Sequence, residues 1–524
     1  MSAAAVPKSK SGDFEAEGSH RLIISVCAMI ATLMQALDNT IANVALPYMQ
    51  GTLSTTSDQI TWVLTSYVIA AAIMTAPVGW FAARFGRKNF FVACLAGFTV
   101  ASILCGLAQT LTQIVLFRVL QGAFGAALVP MSQSTMLNLF PAERRGSAMA
   151  VWGMGVMVGP ILGPTLGGYL TDAYNWRWVF YINVPFGIAA IAGLWFFLKD
   201  NSKDQALRFD WIGFSALSLA LAALQLFLDR GEQKDWLTST EIVTYLVLCG
   251  LGAYLFAVHM WLAEKPFLPL ALFRDRNYAT ALFVMFGIGA ILLSTSAVLA
   301  PYLQTLGGYS VARAGLLMAP RGVGTMVAMF LAGNLSMRVD PRLLLTLGTV
   351  FLAFSLWQQT GWTPDIDAWS ITVNGAIQGL GLGFLFIPLN VIGFSTLPVQ
   401  LRTEAAAILN LVRNVGSAVG ISISSVILTQ QTQVNHAALA EYVTPFNRML
   451  QTGGAYLFWN LATPPGITAI NGEITRQAAI IAYANDFKFM LIISLPTALL
   501  VWLMRRPPRL AQAATPAAGI DEAG

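Results

Sequence analysis

The chain has 524 residues, 56% hydrophobic and 10% charged, with a mean hydropathy of +0.65. A soluble domain carries about 25% charged residues, so this composition excludes one and predicts an all-α polytopic membrane protein. The net charge of +5 reads as an orientation bias rather than the mark of an acidic partner.

The first 20 residues are polar, and the apolar run that starts at Leu22 has no small-residue cleavage site behind it. That predicts a retained span, not a secretion signal. Turns and charges divide the rest into fourteen predicted spans: 22–46, 59–82, 89–108, 111–134, 147–170, 178–198, 210–228, 241–262, 278–303, 311–335, 342–360, 368–396, 403–429 and 485–504. Segments with Arg21, Arg84, Arg87, Lys88, Arg144, Arg145, Lys199, Lys265, Arg274, Arg338 and Arg505 alternate with segments holding only Arg177, Arg230, Lys234, Arg448 and Arg476. This bias predicts cytoplasmic termini on both ends.

Span 1 contains "MQALDNTIANVALP", with Asp38 inside an apolar run, where a charge costs about 2.5 to 3.5 kcal/mol. At about 100° per residue, Thr32, Gln35, Asp38, Asn39 and Asn43 share roughly 160° of arc. A polar stripe of this kind faces a bundle interior or a wet cavity. Asn and Gln alone would serve a helix-packing network, so the carboxylate marks Asp38 as a candidate proton carrier. After span 2, "GWFAARFGRK" (Gly79, Arg84, Gly86, Arg87) makes a basic turn whose spacing goes beyond orientation charge. Span 4, "FRVLQGAFGAALVP", carries Arg118, Gln121 and Gly122. Arginine keeps its proton, so Arg118 is a fixed charge that stabilises ionised Asp38, pairs with an anionic substrate, or bonds carbonyls in helix packing. In span 5, Gly155, Gly159, Gly163 and Gly167 repeat every four residues, a ridge that lets helices approach closely. Pro160 and Pro164 lie in register with it and can bend the helix.

The two ends of the chain echo each other. "GWFAARFGRKNFF" matches "GNLSMRVDPRLLL", "LQGAFGAALVP" matches "IQGLGLGFLFIP", and "PAERRGSAMA" matches "PVQLRTEAAA", in the same order. Parallel six-span repeats with a site between them are a transporter architecture. The predicted organisation is therefore a tail (1–21), a six-helix bundle (22–199), an inserted pair with linkers (200–277), a second bundle (278–504) and a tail (505–524). Residues 430–484 read as a long outer loop, partly ordered by its aromatic and aliphatic content and suited to docking a partner.

Further candidates follow from polarity at depth. Glu404 near the start of span 13 is a second candidate for proton coupling. Gln35, Asn39, Asn43, Gln133, Gln378, Phe384, Asn390 and Arg413 are candidate substrate contacts, with interhelical packing as the competing reading. Arg118, Arg321 and Arg413 against few mid-span acids favour neutral or weakly acidic hydrophobic substrates over dications. The four cysteines lie in apolar runs and suggest no disulfide or metal framework. There is no phosphate loop and no HExxH, and the three histidines are scattered, which argues against an enzyme.

Together these stretches resemble the major facilitator superfamily, and within it the fourteen-span drug:proton antiporter branch. "LDNTIANVALP", "GWFAARFGRK", "RVLQG" and "GPILGPTLGGYL" resemble its motifs, as do "WRWVFYINVPFG" and "LNLVRNVGSAVGIS". "LQLFLDRGEQKDWL" looks like the EmrB-like subgroup. The resemblance implies a major facilitator fold with fourteen helices (6+2+6) in a bacterial inner membrane. It implies multidrug export driven by the proton gradient, with no other cofactor. It also implies an EmrA-like periplasmic adaptor and a TolC-like outer-membrane channel as partners. A dedicated exporter of one metabolite or siderophore is the rival on the same fold. One departure stands out: Ala83 occupies the position where the loop motif usually has an acid.

Overall fold

A computed structural model of the chain describes residues 18–505, apart from 142–143, 200–208, 232–233, 235, 264–267, 337, 399–400, 445 and 448–458. The described residues form helices and no strands. The first half of the chain contains α1 (Gly18–Thr52), α2 (Ser57–Ile60), α3 (Trp62–Thr75), α4 (Val78–Phe85) and α5 (Arg87–Leu107). It continues with α6 (Leu111–Gly125), α7 (Leu128–Leu139), α8 (Arg145–Ala173), α9 (Trp178–Tyr181) and α10 (Asn183–Phe197). Next come α11 (Trp211–Arg230), α12 (Thr240–Leu262) and the short α13 (Leu270–Arg274). The second half contains α14 (Arg276–Pro301), α15 (Val311–Leu335), α16 (Pro341–Gln359), α17 (Ala368–Ser395), α18 (Arg402–Ala440) and α19 (Pro464–Trp502).

Eleven helices among the described residues are long and apolar enough to cross a membrane, or twelve if the pair α3–α4, bent by 57°, is one span. Arg145–Ala173 and Pro341–Gln359 stand at the other two expected span positions but are not among those eleven. The bend between α3 and α4 falls at Pro77, which has no N–H to continue a helical ladder. Gly86 then ends α4 at a φ of +89°, a conformation that favours glycine.

Packing follows the repeat. α1 lies on α8 and α3 on α6, while α15 lies on α17 and α14 on α18; α8 against α15 joins the halves. α11 and α12 pair with each other, and α11 also touches α3 and α18. Asp229 of α11 accepts a hydrogen bond from Thr65 of α3, and Ser422 of α18 donates to the Leu228 carbonyl at 3.2 Å. α12 is the least buried of the span-length helices. His259 on it pairs with Asp210, the N-cap of α11, at 2.8 Å.

The region 430–484 differs from the expected loop. α18 runs on to Ala440 and α19 begins at Pro464, so helix occupies both ends of it. The "TPPG" stretch is a helix start: the Thr463 hydroxyl accepts from the Gly466 amide, and Pro464 stands at the first helical position, where its missing donor is harmless. At 39 residues each, the two helices run about 58 Å, well beyond a core of about 30 Å. They are tied side by side by Asn485–Gln431 at 3.1 Å and His436–Asn471 at 2.9 Å. Residues 445 and 448–458 lie outside the described residues.

Candidate functional site

α1, α6 and α10 bring together a buried charged centre. Asp38 is 0% and Arg118 1% exposed, and Arg118 Nη1 meets Asp38 Oδ2 at 2.6 Å. Arg118 Nη1 also donates to Gln121 Oε1 at 2.9 Å, and its Nε donates to the Val63 carbonyl at 3.0 Å. Gln121 Nε2 donates to Asp38 Oδ1 at 2.8 Å, and Asn183 Nδ2 reaches the same oxygen at 3.5 Å. Ser102 of α5 accepts from both Gln121, at 3.2 Å, and Asn183, at 3.1 Å, and donates to the Phe180 carbonyl at 2.9 Å. The Tyr67 ring lies 4.1 Å from the Arg118 guanidinium. Desolvation makes a buried ion pair costly unless its remaining hydrogen-bonding capacity is filled, and these amides and hydroxyls fill it.

The predicted polar stripe of α1 divides in two. Thr32 and Asp38 are buried and Gln35 is partly buried, whereas Asn39 and Asn43 are exposed. Polar side chains exposed on a spanning helix belong against water rather than lipid, so this face of α1 borders water. Asp38 sits against it, about 25 Å along the helix from Arg21.

Glu404 is not brought to Asp38. It lies in the first turn of α18, at the end of the bundle where α5, α8, α14 and α18 begin with Arg87, Arg145, Arg276 and Arg402. At this basic end Glu404 packs directly over Gly79, leaving no room for a Cβ there, and interacts electrostatically with Arg87. With Ala83 in the loop, the acid facing this motif comes from the other half of the molecule. Arg84 lies beside it, with Nη1 buried and without a partner.

Gln133 and Asn390 meet each other rather than an opening. Gln133 Nε2 donates to Asn390 Oδ1 at 2.6 Å and Asn410 Nδ2 donates to Gln133 Oε1 at 2.9 Å, joining α7 to α17 and α18 across the two halves. The physical reason is burial on both sides of the seam, where an amide pair satisfies itself. Phe384 is buried and stacks on Phe351 with centroids 6.3 Å apart. Gln378 is fully buried and neither amide atom has a partner. Arg413 is half-buried on α18. Arg321 bonds Ser296 and the Leu292 carbonyl, each at 2.8 Å, as a packing arginine.

The glycine motifs close seams. Gly122 faces the Tyr67 carbonyl, and Gly159, Gly163 and Gly167 face Ala36, Thr40 and Ile41 of α1. The antiporter-like ridge thus presses on the helix that carries Asp38. The side chains of Pro160 and Pro164 lie outside the described residues. Ser102, Asn183 and Asn410 are site residues that the sequence reading passed over. Asn183 sat inside the quoted stretch "WRWVFYINVPFG", where a lone amide in an apolar helix was the available signal.

The profile of the Major Facilitator Superfamily matches residues 28–421. The chain is 34% identical over 499 residues to multidrug export protein EmrB of Escherichia coli K12, covering 94% of this chain and 96% of that one. It is 35% identical over 490 residues to fatty acid resistance protein FarB of Neisseria gonorrhoeae, covering 91% and 95%. Among solved structures it resembles a double-tryptophan variant of XylE, with a TM-score of 0.61, 12% identity and coverage of 93% and 96%. It also resembles the human organic anion transporter MFSD10, with a TM-score of 0.56, 12% identity and coverage of 90% and 99%.

Proposed function

The chain belongs to the major facilitator superfamily, and from that membership we propose that it is a proton-driven exporter of hydrophobic drugs and toxic compounds. It is a multi-pass membrane transporter of a family that includes multidrug exporters. The observation that carries the finer reading is the Asp38–Arg118 pair, an ionisable group beside the exposed amides of α1 with a fixed cation against it. Protonating Asp38 removes half of this pair and frees Arg118 and Gln121 to reorganise; losing the proton restores it. That makes the packing of α1 on α6 and α10 depend on proton occupancy, which is what coupling requires. Each charge moved through 100 mV supplies about 2.3 kcal/mol, enough for a gradient of tens-fold.

The halves are in contact at the basic end, through Gly79–Glu404 and through Ser147 donating to Asn334 at 3.1 Å. With fourteen spans in a bacterial inner membrane and both termini cytoplasmic, this is a state closed toward the cytoplasm. Neutral or weakly acidic substrates suit a bundle in which Arg413 is half-buried on α18 and the buried Asp38 is already paired with Arg118. The fatty acid resistance relative fits that class. The projecting α18–α19 pair is the surface offered to an EmrA-like adaptor, with a TolC-like channel beyond it. The test is uphill transport in proteoliposomes under an imposed pH gradient, with one acidic uncoupler and one cationic dye as probes. Asp38→Asn is expected to abolish uphill transport of the uncoupler while leaving its binding within about threefold. Unchanged uphill transport would remove Asp38 from coupling.

A further inference from the structure

Asp486 on α19 has no part in the network around Asp38. It is 0% exposed, and neither of its carboxylate oxygens has a hydrogen-bond partner. The hydroxyl that approaches it is Ser424 of α18, which is itself unpartnered. One turn earlier on α18, Gly420 packs on the Ser294 hydroxyl of α14, which is unpartnered too. The Tyr302 hydroxyl is a fourth orphan, and its ring meets Tyr483 at 5.3 Å and Phe487 at 6.3 Å, both neighbours of Asp486 along α19. Asp486 and three buried hydroxyls without a standard hydrogen bond therefore line one stretch of the packing between α14, the turn after it, α18 and α19.

Among the described residues, no cation pairs with this carboxyl. On α18, Arg413 lies about 16 Å nearer the basic end than Ser424 and His436 is bonded to Asn471. Arg402 and Glu404 on α18, Arg276 and Tyr278 on α14, and Arg342 on α16 all stand at the basic end. Arg321 reaches α14 but is bonded to Ser296 and Leu292. On α19 itself, Lys488 is exposed and Arg476 is paired with Glu473. Asp365 faces Tyr302 from the loop before α17. A buried ionised carboxylate without a partner is far costlier than the neutral acid.

We propose that Asp486 is a second proton-binding carboxyl, placed in the C-terminal half and exchanging its proton as α14, α18 and α19 rearrange during transport. This rests on the proton-driven reading above. The step is a simple protonation: water admitted between the helices gives a proton to a carboxylate oxygen and takes it back. The two halves then each carry one proton-binding acid in their interior, Asp38 paired with Arg118 and Asp486 without a hydrogen-bond partner. Substrate export is coupled to both.

The test uses the full-length protein in liposomes as wild type, Asp486→Asn and Asp486→Glu. Asparagine copies the shape of the neutral acid, and glutamate keeps its chemistry. Infrared difference spectra between acid and alkaline pH are expected to show a protonated-carboxyl carbonyl band that Asp486→Asn removes and Asp486→Glu shifts. Protons moved per molecule of a transported neutral, non-titrating hydrophobic dye are expected to halve in Asp486→Asn and to return in Asp486→Glu. A band that persists unchanged in Asp486→Asn, or an unchanged proton ratio, overturns the second site while leaving Asp38 in place. Wild type with no substrate-driven proton movement overturns the proton-driven reading itself; the band still reports whether Asp486 binds a proton.

Discussion

Arg118 divides its guanidinium among Asp38, Gln121 and the Val63 carbonyl, and its face rests on Tyr67. A lysine has one compact head and cannot reproduce this fork. Removing one member of a buried pair leaves the other charge uncompensated, at about 3 to 5 kcal/mol. Arg118→Ala is therefore expected to lower thermal stability in detergent more than Asp38→Asn does. The double variant is expected to be more stable than Arg118→Ala alone, because the stranded carboxylate is gone. Strictly additive losses across the cycle would mean that the two side chains act independently. Asp38, Arg118 and Gln121 were legible in the sequence because a charge in an apolar span needs a reason. Ser102 and Asn183 were not, since small hydroxyls and amides are ordinary helix-packing groups and their role depends on which helices meet. Gln133 and Asn390 were picked out for the same polarity, but their partners lie across the seam, which no local pattern encodes.

α8 meets α1 along a ridge of glycines, and the contacts differ in kind along it. A Cβ at Gly159 would sit 2.5 Å from the Ala36 Cβ and 2.8 Å from its carbonyl carbon, so backbone must move. Gly168, one residue past the ridge, has nothing within 4 Å. Gly159→Ala is expected to cost about 1 to 3 kcal/mol and to reduce transport by displacing α1, the helix that carries Asp38. Gly168→Ala is expected to match wild type in both assays. Equal behaviour of the two variants would show that the four-residue glycine spacing has no packing role. The ridge was legible because its period equals a helical turn plus a small drift. The extended α18–α19 pair was not: residues 430–484 read as a loop, and only the Thr463 cap shows the prolines at 464 and 465 opening a helix.

Contact between the halves is concentrated at the basic end and at the Gln133–Asn390–Asn410 seam. Gly146 and Gly333 approach so closely that a Cβ on the first would lie 2.5 Å from the carbonyl oxygen of the second. Ser147 and Asn334 join just beside them at 3.1 Å. Alternating access requires this end to open while the far end closes, so every contact here is one that transport must break. A covalent link would hold the molecule in the closed state. The paired variant Ser147→Cys with Asn334→Cys, on a background with Cys27, Cys94, Cys105 and Cys249 replaced, is expected to cross-link under mild oxidation and lose transport by tenfold or more. Reduction is expected to restore it, and either single variant should be indifferent to oxidant. Transport that continues after complete cross-linking would mean that the basic end stays shut throughout the cycle. The two halves would then not rock against each other, and substrate would have to enter through another part of the molecule.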